Sequence, residues 1–177
     1  MRDNTRRRMQ IAVVTGAVAA GSIAAAVPAM AATTSATPSC KAANLKVSLN
    51  KRIDPGAGQR YTTLDFRNTA KKACVLRNGL KGFTYLVKGK EGGARSVPVH
   101  AYGDKSLGYS AKQAVVLKPG KHAKVGHLVI HWNVVSTPTV TPQSLRFALP
   151  AGGGHTALPW KQLVGGDHRL GLGRLSA

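Results

Sequence analysis

The chain has 177 residues and is strongly basic: 26 Lys and Arg stand against 6 Asp and Glu, a formal charge of +20 at neutral pH. Aromatic residues make up only 5%, too few to interleave with cations as the stacking platform that single-stranded nucleic acid requires, so no specific nucleic-acid partner is expected. The acids are equally scarce, and carboxylate-pair chemistry needs two of them converging on one site.

The first element is at the N-terminus. Arg2, Asp3, Arg6, Arg7 and Arg8 precede an uncharged run from Met9 to Ala31, "MQIAVVTGAVAAGSIAAAVPAMA". A basic start, an apolar run and small residues at Ala29 and Ala31 read as a cleavable secretory signal peptide over residues 1–31. A membrane anchor fits less well, because the run is rich in Ala and Gly and ends at Pro28. Arg6 and Arg7 also suit a twin-arginine signal, although Met9 stands where an aromatic residue is usual, so the export route stays open. Past residue 31, 22 Lys and Arg face 5 Asp and Glu over 146 residues, scattered from Lys41 to Arg174. Such a field attracts an anionic cell-wall polymer or another polyanion; it also keeps an exported protein soluble.

Residues 32–39, "ATTSATPS", read as a flexible linker, followed by a single domain over 40–177. "NLKVSLN" alternates Leu45, Val47 and Leu49 against Lys46, Ser48 and Asn50. "DPGAGQR" is a turn. "YTTLDFRN" places Leu64 and Phe66 on one face and Thr63 and Asp65 on the other. "ACVLRN" and "GFTYLVKG" read as further strands, and "KGKEGGA" as a turn leading into "RSVPVHAY". "QAVVLKPGKHAKVGHLVIHW" shows two strands about Pro119–Gly120; "SLRFALP" and "HRLGLGRL" close the chain. Many short strands punctuated by Gly and Pro predict an all-β, antiparallel β-sandwich.

Cys40 and Cys74 are the only cysteines. In an oxidising compartment an isolated pair usually bridges, and two cysteines permit one intramolecular connectivity. A reactive Cys74 would need a neighbouring base, and Arg67, Lys71 and Lys72 are cations; zinc would need further ligands at short spacing. Asp54, Asp65, Glu91, Asp104 and Asp167 fall in turns or on outward strand positions, so no catalytic residue is assigned and the chain is read as non-enzymatic. Of the six histidines, His127 and His131 share one strand face about 13 Å apart, too far to hold one metal. His100, His122, His155 and His168 complete the set, expected at the surface, with a His-based metal-binding domain as an alternative. No cofactor is expected.

The candidate anion-binding residues are Lys46, Lys71, Lys72, Lys88, Lys90, Lys118, Lys121 and Lys124, all on turns or outward strand positions. The loop "AYGDKSLGY" offers Tyr102, Lys105 and Tyr109 as an interaction surface, which supports a second alternative, a secreted protein-interaction module such as an inhibitor of an extracellular enzyme. The leading expectation is a secreted domain that associates with the cell wall or other anionic material.

Cys40, "YTTLDFRNTAKKACVL", "KGFTYLV", "VVLKPGKHAKVGHLVIHW" and "SLRFALPAG" together resemble, in order and spacing, the family named domain of unknown function 4232, secreted and lipoprotein domains common in actinobacteria. The resemblance spans residues 40–175. It implies an immunoglobulin-like β-sandwich with Cys40 bonded to Cys74. Many members hold a second cysteine pair near the segments that here read "STPTVTP" and "GGDHRL", which this chain lacks. The resemblance implies no catalytic residues.

Overall fold

The computed structural model describes residues 36–89 and 92–177. The predicted signal peptide, most of the predicted linker, Lys90 and Glu91 lie outside the described residues. Strand alternation decides what is buried. β3 (Gln59–Asn68) buries Thr62, Leu64, Phe66 and Asn68 and turns Tyr61, Thr63, Asp65 and Arg67 the other way. On one side β3 pairs with β1 (Leu45–Leu49), and in a hairpin with β2 (Asp54–Gly56), so part of the predicted "DPGAGQR" turn is a short strand. On its other side β3 pairs with β9 (Gly126–Asn133). β9 in turn pairs with β12 (Arg169–Ser176), and β12 with β7 (His100–Gly103), which completes a six-stranded sheet.

The second sheet runs β11 (His155–Pro159), β10 (Ser144–Ala148), β5 (Lys81–Lys88), β6 (Ala94–Pro98). The two sheets pack as a sandwich. Leu64, Phe66, Leu128, Ile130 and Leu170 of the first face Phe83, Tyr85, Leu145, Phe147 and Leu158 of the second, and the Phe66 and Phe147 rings meet edge to face at 6.3 Å. Full burial of each such side chain is worth about 1.5–3 kcal/mol before the opposing chain entropy. A two-stranded sheet, β4 (Cys74–Arg77) with β8 (Ala114–Leu117), closes one end. Cys40 and Cys74 form a disulfide, with Cα atoms 4.9 Å apart.

Two details depart from the sequence reading. "RSVPVHAY" is two strands rather than one: β6 ends at Pro98, which has no N–H to extend a ladder, and buried Val99 carries the chain into the other sheet as β7. Arriving that way, β7 lies parallel to β12, the only parallel pairing of strands in an otherwise antiparallel arrangement among the described residues. The strands flanking Pro119–Gly120 are both present but do not pair with each other; β8 joins β4 and β9 joins β3 and β12.

Candidate functional site

The register of four neighbouring strands sets Tyr61, His131, Gly171 and Tyr102 abreast on the outer face of the six-stranded sheet. Gly171 leaves the gap that His131 fills, because a Cβ there would overlap His131 Nε2. The imidazole stacks on Tyr61 at 5.4 Å and 9°, and meets Tyr102 edge-on at 5.8 Å. Its Nε2 lies 2.9 Å from Asp104 Oδ2 and 3.2 Å from the Tyr102 hydroxyl; Nδ1 lies 3.3 Å from Gln59 Oε1. The Arg169 guanidinium sits 5.0 Å from the Tyr102 ring centre, a cation–π contact.

Asp104 joins this row to the loop that follows β7. Its carboxylate accepts from the Ser106 hydroxyl at 2.6 Å and the Ser106 N–H at 2.8 Å, capping the single 3-10 turn Lys105–Leu107. The Ser106 hydroxyl holds the Asp104 carboxyl below the usual carboxylate range; partial burial opposes this, and the Ser106 N–H and His131 add to it. Burial pushes the Tyr102 phenol above its ordinary value, opposed by Arg169. His131, which the sequence placed on one strand face with His127, is 8% exposed and its two ring nitrogens are both engaged. A histidine so placed positions the 104–107 turn; a general base would present a free nitrogen to a hydroxyl nucleophile.

Four residues away along the same two strands, His127 Nδ1 lies 2.8 Å from Asp65 Oδ1, which also accepts from the Thr63 hydroxyl at 2.7 Å. The Asn50 amide donates to Asp65 Oδ2 at 3.2 Å. Asp167 Oδ2 accepts from the Asn133 amide at 3.3 Å, and Arg52 meets Asp54 at 3.1 Å on the open surface. Among the described residues no three His, Cys, Asp or Glu side chains gather in a way that could hold a metal ion.

In the loop 102–110, Tyr102 turns toward His131, and Tyr109 packs so closely on Gly103 that a Cβ there would overlap its ring; Lys105 is exposed. The lysines singled out in the sequence, Lys46, Lys71, Lys72, Lys88, Lys118, Lys121 and Lys124, are all exposed; Lys90 lies outside the described residues. They do not form one cluster. Lys71 and Lys72 share a groove of about 410 Å³ with Lys41, which the sequence reading had not singled out. Lys46 lies abreast of Arg67 and shares with it a groove of about 270 Å³, and Arg67 donates to the carbonyl of Lys121 at 2.5 Å. Lys88 ends β5 in the other sheet.

Residues 40–176 match the model of one protein family, described as Domain of unknown function (DUF4232). The chain belongs to the DUF4232 family. No curated protein and no solved structure matches it. What the sequence reading of this DUF4232 chain missed is the His131–Asp104 contact, since the two residues are 27 positions apart, one on β9 and the other in the loop after β7, and no local pattern reveals that these meet. A signal for it did exist. In "RLGLGRL", Gly171 and Gly173 alternate with Leu170 and Leu172, so two successive positions on one face of β12 carry no side chain, and His131 and Leu107 lie against them.

Proposed function

We propose that this DUF4232 chain is an exported, non-enzymatic module that associates with anionic material of the cell envelope or its surroundings through distributed Lys and Arg. The observation that carries the reading is the imbalance of charge. Past residue 31 there are 22 cations to 5 acids, and among the described residues the single Lys or Arg paired with a carboxylate is Arg52, with Asp54. Asp65 and Asp104 are taken by histidines and hydroxyls rather than by lysines or arginines. The surface cations therefore have few internal partners to give up when a polyanion approaches, and their summed field steers it in.

The test is retention of the purified protein on isolated cell walls across a salt series. Retention should fall at least about tenfold between about 50 and 200 mM salt, as counterion release requires, and should vanish once the anionic wall polymers are stripped. Salt-insensitive retention, or none at low salt, overturns the reading.

A further inference from the structure

Beside the disulfide, the segment Pro38–Asn44 faces the loop 69–73 across the groove of about 410 Å³. Lys41, Lys71 and Lys72 line it with Ser39 and Asn44, and no Asp or Glu does. The neighbouring groove of Lys46 and Arg67 differs in this respect, because Asp65 lines it and competes with any incoming anion.

Both walls of the acid-free groove are fixed from within. Asn68, 3% exposed, donates to the carbonyls of Lys72 and Leu117, each at 2.9 Å, and accepts from the Ala70 N–H at 2.9 Å. The Thr69 N–H donates to the Asn44 carbonyl at 2.9 Å, and the Val75 N–H to the Pro38 carbonyl at 2.8 Å. Asn68 thus takes up carbonyl groups around the loop, while the N–H groups of Lys71, Lys72 and Ala73 donate to no acceptor among the described residues. Lys41 Nζ is tethered 3.2 Å from the Gly152 carbonyl, and an ammonium retains two further donors. Donors held in place before binding cost little ordering when an anion arrives.

Resting on the function proposed above, we infer that this groove is the principal polyanion site and that its ligand is a phosphate polymer. The groove's cations are all lysines. An ammonium serves phosphate oxygens as a point charge, and the N–H groups of the three successive residues 71–73 add backbone donors of the kind that anion-binding concavities present to phosphate.

The experiment measures affinity of the purified protein for poly(glycerol phosphate) against salt. It compares wild type with K41A/K71A/K72A and with K105A/K112A/K161A, an equal loss of charge from exposed lysines outside the groove. The groove variant should weaken binding by about tenfold or more and flatten the log–log salt slope by about two, with the control within about twofold of wild type. Equal weakening by both variants overturns the groove while leaving the broader reading intact. Failure of wild type to bind both this polymer and cell walls removes that reading as well. Polygalacturonate bound as tightly, with the same dependence on the groove, overturns the phosphate assignment. Binding confined to vesicles containing phosphatidylglycerol, or saturated by free inorganic phosphate at equal phosphate concentration, overturns a polymer as its source.

Discussion

At the end of the six-stranded sheet where β3 finishes at Asn68, a covalent bond holds the chain and the cations Lys41, Lys71 and Lys72 stand open to solvent. At the end where β3 begins at Gln59, no disulfide is present among the described residues. There Tyr61, His131 and Tyr102 close over Gly171, and Asp104 ties the next loop to the row. The contrast is one of like charge against matched charge. Lysines crowded into a groove repel one another and contribute nothing to cohesion, so the backbone around them is held by other means: a disulfide and the buried Asn68 amide. Where a carboxylate, a histidine and two phenols meet, the side chains themselves supply the cohesion and little is left over for a ligand.

Replacing both cysteines by serine tests that contrast most severely. The bridge joins residues 34 apart, and its loss should lower stability by about 3–4 kcal/mol by the loop-closure argument. Urea unfolding measures this; an unchanged midpoint would mean that packing alone holds the disulfide end, as it does the other. A smaller effect is expected from Gly171→Ala. Its methyl group must displace His131, and overpacking of this kind costs about 1–3 kcal/mol. The same unfolding assay, with the His131 ring resonances followed by NMR, should show both the loss and a moved imidazole. A neutral substitution would break the description of the row.

Asp104→Asn should have the smallest effect and sharpens the comparison through pH. The native carboxyl titrates below its ordinary value of about 3.9. The unfolded chain therefore binds more protons in that range, and stability rises with pH there. The contribution is complete above the unfolded value and is lost as pH falls through the folded one. The variant should be less stable by roughly 1 kcal/mol near neutrality, with the gap to wild type closing as pH falls through the lowered titration range of the native carboxyl. A gap that stays constant with pH would assign the loss to something other than the ionised carboxylate.

How much of this could be read from the chain alone follows from the range of each interaction. In β3 the alternation of Leu64 and Phe66 with Thr63 and Asp65 assigned the buried face correctly, because strand periodicity is local. "RSVPVHAY" looked continuous because the fault at Pro98–Val99 is a change of sheet rather than a change of composition. Lys71 and Lys72 were recognisable as loop cations, whereas Lys41 joins them only when the disulfide brings its segment alongside. The partners of His131 were not legible because Tyr61, Tyr102 and Asp104 are remote from it in sequence.

By itself, then, the amino-acid sequence determined the strand faces, the β-sandwich, the single cysteine pairing and the excess of cations, all consequences of composition and period-two patterning. Tertiary structure decided which cations share a groove, which acids are consumed internally, and that β7 runs parallel to β12. Each of those depends on strands far apart in the chain becoming neighbours, and the order of neighbours is set by how the two sheets bury their apolar faces together.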